Sequence, residues 1–317
     1  MTNSITYHVS KFNDVINFLK YTAPIDSHLH VWSNGEHPFI LEQNPAPELA
    51  HCQAESLFNE MNSANIGGAL IVQPINHKYD HSYLSSVLKD EKYQGRFKGM
   101  CLLDPEADDD YLPTLKSQGF QGVRFNPYLF PNNELMSEKR GMKLFKQAGD
   151  LNMPVGIMCF KGLNKHYEDI CKLLNECPNT KIIIDHWGFI LQDGAYVEES
   201  WDQLLSLATL SSNIYVKLSA PFRNSIQGWP YTNDLSERFL KLINTFGANR
   251  LMIGSDYPFT LTMQESGYSP LCGLDKILTD ESEGEREMIS EEEYFMLVRG
   301  TVESLFGKWP EGVAPAM

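Results

Sequence analysis

Apolar runs of similar length recur along the chain, and a polar or amphipathic stretch follows each of them. The runs are rich in Val, Ile, Leu and Phe. Most are nearly continuous rather than alternating, which is typical of parallel strands covered on both sides. Eight such runs predict eight strands, at 24–32, 66–74, 96–105, 119–129, 153–160, 180–189, 213–222 and 249–259.

The stretches between these runs carry apolar residues at helical spacing. Examples are ELAHCQAESLFNEMNSAN, SEKRGMKLFKQAGDLNM, HYEDICKLLNEC, ESWDQLLSLATLSS and LSERFLKLINTFGANR. Eight alternations of strand and helix predict an α/β fold of the (β/α)8 TIM-barrel type. A doubly wound open sheet is the alternative, but it usually has fewer strands and often a glycine-rich phosphate turn after the first one.

The chain shows no Pro-, Gly- or Ser-rich linker, and its 317 residues suit one barrel. We therefore expect a single domain over 1–317, with barrel strands from about 24 to 259 and C-terminal helices to 307. The acidic stretch 279–293 is interpreted as a solvated connection, because it leads into YFMLVRGTVESLFG, a predicted helix.

Composition narrows the classes of partner. The 41 acidic and 26 basic residues give a net charge of −15, which opposes binding to nucleic acid and to anionic membranes. We expect a small-molecule substrate, a cytoplasmic location and no membrane span, and a homo-oligomer is compatible with the sequence. The cysteines form no C-x-x-C pair and predict neither a disulfide framework nor a thiolate zinc site: Cys52, Cys101, Cys159, Cys171, Cys177 and Cys272.

Histidine and aspartate stand where three of the apolar runs end. His28 and His30 lie two residues apart, so they share one face of the first strand. His186 ends the sixth run, and Asp256 ends the eighth. Because a TIM barrel builds its active site at the carboxyl ends of its strands, we expect these four side chains to converge as catalytic residues.

Two kinds of chemistry fit this set of residues. Imidazole and carboxylate groups bind one Zn²⁺ or Mn²⁺ ion and leave a position open for water. Without a metal, the imidazoles of His28, His30 and His186 can polarise a carbonyl as hydrogen-bond donors while Asp256 acts as base. Both routes predict hydrolysis, and the sequence does not choose between them. Asp185 is interpreted as structural, and the other histidines are expected to be exposed: His8, His37, His51, His77, His81 and His166.

Cationic residues near the predicted strand ends indicate an anionic substrate. Arg124, Lys217 and Arg223 are candidates, because arginine in particular offers a planar fork that suits carboxylates. Aromatic residues in the same segments are candidate pocket walls: Trp32, Tyr128, Trp187 and Tyr257.

With these residues the sequence resembles the amidohydrolase superfamily, in its amidohydrolase-related (amidohydrolase 2) branch. The resemblance covers nearly the whole chain, through IDSHLHVW, IIDHWGF, NIYVKLSA, RLMIGSDYPF and RGTVESLFG. It is similar to the subgroup that contains 2-pyrone-4,6-dicarboxylate lactonase and sugar-lactone hydrolases. The resemblance implies hydrolysis of a small anionic ester such as a lactone. It also implies that His28 and His30 are the first-strand pair, His186 the sixth-strand histidine and Asp256 the base.

The fifth strand departs from the metal-dependent members of that superfamily. They usually end it with a histidine or a carbamylated lysine, whereas VGIMCFKG leaves Met158, Cys159 or Phe160 at that place, with Lys161 one step late. The departure argues against a binuclear centre. It also disfavours the first alternative function, a metal-dependent non-oxidative decarboxylase of an aromatic or unsaturated acid. A non-catalytic binding barrel is the second alternative, and the chain contains no G-x-S-x-G motif of a serine hydrolase.

Overall fold

Eight parallel strands form one sheet in the order in which they occur along the chain. The computed structural model describes residues 23–37, 39, 45–263, 267–269, 271 and 289–310. The strands are β1 Ile25–Leu29, β2 Gly68–Val72, β3 Phe97–Leu102, β4 Phe120–Phe125, β5 Val155–Ile157, β6 Ile182–Ile184, β7 Ile214–Ser219 and β8 Leu251–Gly254. All eight predicted strands are confirmed, and each is shorter than its apolar run because the runs continue into buried loops.

The ends of β8 and β1 meet, which brings the sheet close to a closed barrel. The backbone N–H of Asp256 donates to the carbonyl of His28 (2.8 Å), and that of His30 donates to the carbonyl of Tyr257 (2.7 Å). Because strand order follows chain order without reversal, the fold is a TIM barrel, and the doubly wound alternative is wrong.

Helices follow the strands around the outside of the barrel. They are α1 Ala54–Ser63, α2 Ser82–Lys89, α3 Tyr111–Ser117, α4 Lys139–Asp150, α5 Tyr167–Glu176, α6 Glu198–Leu210, α7 Thr232–Phe246 and the short α8 Thr260–Met263. Each long helix buries an apolar stripe, as Leu144, Phe145 and Ala148 do in α4. The helical spacing of the apolar residues therefore predicted the outer layer correctly.

The last helical segment closes the chain against the barrel. It begins with α9, Glu291–Phe295, where the side chain of Ser290 and that of Glu293 form a reciprocal capping box. It continues through a π-helical turn, Met296–Gly300, into α10, Thr301–Phe306. The predicted final helix is thus confirmed, while most of the acidic stretch before it lies outside the described residues.

The amino-terminal end of the barrel, called the base here, is plugged by the segment after α10. The Trp309 ring packs so closely on Gly68 that a Cβ atom there would lie 2.0 Å from Trp309 Cδ1. Lys98 on β3 donates from Nζ to three carbonyls in this segment, those of Phe306, Gly307 and Lys308 (2.6, 2.7 and 2.9 Å). The base is therefore filled and its buried cation is satisfied.

Two further expectations can be compared with the described part of the chain. The five cysteines in that part are free thiols, in agreement with the prediction of no disulfide framework. Cys272 lies outside the described residues. Within the same ranges, no helix combines the length and the apolar character that crossing a bilayer would require.

Candidate active site

The closure of β8 onto β1 brings Asp256 against the two histidines of β1. Asp256 Oδ1 lies 3.5 Å from His30 Nε2 and 4.0 Å from His28 Nε2. All three residues are buried at the carboxyl end of the barrel, called the mouth here. Backbone pairing between strands that are more than 200 residues apart thus assembles the centre of the site.

The backbone turns sharply where β6, β7 and β8 end. His186, Ala220 and Asp256 have φ angles of 49°, 50° and 60°, in the left-handed region that residues with a Cβ atom rarely adopt. Such conformations cost about 1–3 kcal/mol each and persist where the surrounding structure holds them. Their concentration around the mouth is typical of a functional site.

Hydrogen bonds orient the imidazole rings. His30 donates from Nδ1 to the carbonyl of Val72 (2.8 Å), which leaves Nε2 as an acceptor in the neutral ring. Burial, with a smaller contribution from the nearby Arg124, lowers the pKa of His30 to about 3. His186 Nδ1 pairs with Ser219 Oγ (2.9 Å), and its ring lies 4.3 Å from that of His28. His30 therefore presents a lone pair to Asp256 rather than an N–H group.

A buried charge network lies beneath the histidines. Lys217 Nζ is 3.1 Å from His28 Nδ1 and 3.4 Å from Asp185 Oδ1, and Arg124 Nε donates to Asp185 Oδ2 (3.1 Å). Burial alone would raise the pKa of Asp185, but Lys217 and Arg124 outweigh it and hold the pKa below its usual value. Asp185 is thus the shared anion of the network, a position that the apolar run ending at this residue did not reveal.

Asp256 is held from its other side by a cation. Arg223 Nε donates to Asp256 Oδ2 (2.8 Å), while its guanidinium lies about 5 Å from the ring centres of Phe222 and Phe259. Burial raises the pKa of Asp256 above its usual value, and Arg223 opposes that rise. The ion pair occupies Oδ2, so Oδ1 remains directed to the histidines.

A cavity of about 840 Å³ opens over this cluster. Four of the residues predicted to bind substrate line it, namely Trp32, Arg124, Tyr128 and Arg223, together with His30, His186 and Asp256. Neither His28 nor Lys217 lines the cavity, because both are fully buried, with Lys217 below the histidines. Trp187 and Tyr257 are also buried away from it. Most of the predicted substrate-binding residues therefore face one cavity.

Arg124 has an unused donor at this cavity. Its Nε is bonded to Asp185, but its Nη2 is buried and has no hydrogen-bond partner among the described residues. A buried guanidinium N–H without a partner is costly, and a substrate carboxylate would satisfy it. Arg124 is thus placed to recognise an anionic group.

Three ligand atoms at the mouth could hold one metal ion. One atom from each of His28, His30 and Asp256 lies within 4.8 Å of the others, and two nitrogens with one carboxylate oxygen suit Zn²⁺ or Mn²⁺. His186 is not part of that group. After β5, Met158 and Phe160 line the cavity, and Cys159 is fully buried with its thiol pKa raised by burial. Cys159 does not belong to the group of possible metal ligands found among the described residues.

Of the remaining histidines, His51 is exposed as expected, whereas His37 and His166 are half-buried. The expected exposure is wrong for the other two described ones. His77 and His81 are buried, because each ring accepts a backbone N–H: that of Ser33 for His77 (3.2 Å) and that of Leu102 for His81 (3.0 Å). Both are satisfied structural histidines, and His8 lies outside the described residues.

Comparison with known proteins places the chain among related barrels. A family model described as amidohydrolase matches residues 25–291. A 2-pyrone-4,6-dicarboxylate hydrolase of Comamonas testosteroni is 23% identical over 248 residues, which cover 74% of this chain and 76% of that protein.

Solved structures share the fold. A probable 2-pyrone-4,6-dicarboxylic acid hydrolase from Acinetobacter baumannii, with citric acid bound, has a TM-score of 0.71 at 22% identity and covers 90% of this chain and 100% of its own. An amidohydrolase from Burkholderia multivorans with bound zinc has a TM-score of 0.69 at 16% identity and covers 91% of this chain and 100% of its own.

Proposed function

The chain belongs to the amidohydrolase family and is an amidohydrolase-type hydrolase, and from that premise we propose that it hydrolyses a small anionic lactone at the mouth of the barrel. One observation carries the proposal. The Asp256 carboxylate and the His30 lone pair lie 3.5 Å apart, on the same cavity as the unpaired Nη2 of Arg124. A water activator and an anion-binding group therefore share one pocket.

Asp256 is the proposed general base. Its Oδ1 takes one proton from water as the water oxygen attacks the lactone carbonyl carbon, and the carbonyl oxygen becomes an oxyanion. The ring carbon–oxygen bond then breaks, and Asp256 returns the proton to the departing oxygen, which yields a hydroxy acid. A pKa raised by burial supports this role, because it makes the carboxylate a stronger base.

The three histidines have different roles in the proposed mechanism. We expected all three to donate to the oxyanion, but His30 does not fit that role, since its one proton is committed to Val72. His30 Nε2 instead accepts from the attacking water and orients it beside Asp256. Donation to the oxyanion is left to His28 and His186, whose rings adjoin each other.

A metal would be held by three of the same residues, and it would replace the hydrogen bond from His28 because His28 Nε2 would then be a ligand. A divalent ion held by His28, His30 and Asp256 would supply Lewis-acid polarisation of the lactone carbonyl. Arg124 would bind the substrate carboxylate in either case, while Trp32 and Tyr128 flank the ring.

A panel of lactones with and without a carboxylate tests the proposal, measured by proton release before and after chelation. We expect turnover of carboxylated lactones in preference to neutral ones. The Asp256→Asn variant should keep the fold but lose about 10²–10⁴-fold in kcat, because it lacks the base. Full activity of that variant would contradict the mechanism. Carbon dioxide release from hydroxybenzoates without lactone turnover would favour the decarboxylase alternative.

A further inference from the structure

The buried lysine beneath the site has no contact with the cavity, yet it touches a catalytic imidazole. We propose that Lys217 is a positioning residue that fixes the proton of His28 on Nε2, so that His28 serves as a hydrogen-bond donor. The role of that donor rests on the proposed hydrolysis, whereas the position of the proton does not.

Two groups compete for His28 Nδ1. Lys217 Nζ lies 3.1 Å away in hydrogen-bond geometry, and a lysine ammonium has donors only. Asp185 Oδ1 lies 3.3 Å from the same nitrogen, but no hydrogen bond joins these two atoms, and Lys217 Nζ lies 3.4 Å from that oxygen. The distances are similar, but only the contact with Lys217 is a hydrogen bond, so Nδ1 is its acceptor.

The proton of the neutral ring must then be on Nε2. This atom is buried and has no hydrogen-bond partner in the described chain, and it lies 4.0 Å from Asp256 Oδ1. An unpaired buried N–H beside the proposed base is a donor that lacks only the substrate oxygen. His28 and His30 thus differ, because a backbone carbonyl fixes the proton of His30 on the opposite nitrogen, Nδ1.

The same proton opposes metal binding. An imidazole binds a metal through a lone pair, and Nε2 of His28 would have to lose its proton before it could join His30 and Asp256. Without Lys217, the Nδ1–H of His28 could turn toward Asp185 and leave Nε2 free. Lys217 therefore favours hydrogen-bond donation by His28 over metal coordination.

The position of the proton can be observed directly. Protein with ¹⁵N-labelled histidine rings, purified and treated with a chelator, is examined by long-range ¹H–¹⁵N correlation, and His28→Gln identifies the signal. We expect Nε2 protonated and Nδ1 unprotonated. A ring protonated on Nδ1, or on both nitrogens, would overturn the proposal, and this experiment needs neither a variant of Lys217 nor a substrate.

Substitution of the lysine provides the second test. In Lys217→Met we expect the proton to move to Nδ1 and the affinity for Zn²⁺, measured by calorimetry, to rise at least tenfold. Lys98→Met is the matched control, because it removes a buried β-strand lysine at the far end of the barrel. An unchanged tautomer or an unchanged zinc affinity in Lys217→Met would overturn the proposal.

Kinetics separate this inference from the proposed function. With a lactone substrate, Lys217→Met should lower kcat about 10²–10³-fold, the range for loss of an oxyanion donor, and change KM little because Lys217 does not line the cavity. A rise in KM with unchanged kcat would contradict the positioning role. If no lactone is hydrolysed, the proposed function fails, while the tautomer and the zinc affinity still decide the role of Lys217.

Discussion

Each end of the barrel buries a lysine that lies on a strand, but the hydrogen bonding of the two lysines differs. At the base, Lys98 donates to three carbonyls and lies 4.0 Å from the centre of the Trp309 ring. At the mouth, Lys217 makes one hydrogen bond, to His28, and shares Asp185 with Arg124. The base satisfies its polar groups, whereas the mouth leaves several without partners.

Three of the seven buried side-chain atoms that lack a hydrogen-bond partner among the described residues belong to the charged and histidine residues of the mouth. They are His28 Nε2, Arg124 Nη2 and Asp185 Oδ1. The left-handed φ angles of His186 and Asp256 lie beside them. Such features reduce stability, and a TIM barrel tolerates them where loops at the strand ends bind and react with substrate. The comparison indicates that the base stabilises the fold and the mouth is organised for chemistry.

We expect the largest effect on the unfolding free energy from a substitution at the base. Gly68→Ala places a methyl group into the Trp309 ring, and overpacking of this kind costs about 3 kcal/mol. Urea unfolding should show this loss of unfolding free energy. The kcat of the folded variant should stay within about twofold of wild type, because the proposed catalytic residues lie at the opposite end. Loss of activity without loss of stability would break the comparison.

A buried histidine with hydrogen-bond partners, such as His81, should affect the unfolding free energy rather than catalysis. Burial lowers the pKa of His81 to about 4, so between pH 6.5 and 4 the unfolded chain binds a proton that the folded chain does not. The stabilising contribution is present above pH 6.5 and is lost as the pH falls, by about 2 kcal/mol between pH 7 and pH 5.

The His81→Gln variant removes this titration, so its unfolding free energy should fall less on acidification than that of wild type. His51→Gln, at an exposed histidine, is the matched control and should follow the wild-type pH dependence. An identical pH dependence in wild type and His81→Gln would show that His81 titrates normally in the folded protein.

Much of the fold could be predicted from the sequence, because continuous apolar runs and apolar residues at helical spacing indicate which positions are buried. The convergence of His28, His30, His186 and Asp256 was readable too, since the carboxyl ends of parallel strands share one end of a barrel.

The hydrogen-bond partners could not be read from the sequence. The carbonyl of Val72 decides which nitrogen of His30 carries its proton, and the N–H of Leu102 buries His81. Lys217 was expected at the substrate, but β7 directs it below the histidines, where Asp185 is its counter-ion. Contacts of this kind depend on the register between strands and loops that are distant in sequence, and no local pattern encodes them.

The central claim, that the mouth binds and hydrolyses a carboxylated lactone, is tested most directly by a crystal structure of Asp256→Asn with the lactone that wild type turns over fastest. We predict that the substrate carboxylate lies within hydrogen-bond distance of Arg124, with the lactone carbonyl beside His28, His186 and position 256. A lactone bound outside this cavity, or bound in it with its carbonyl directed away from these residues, would contradict the account.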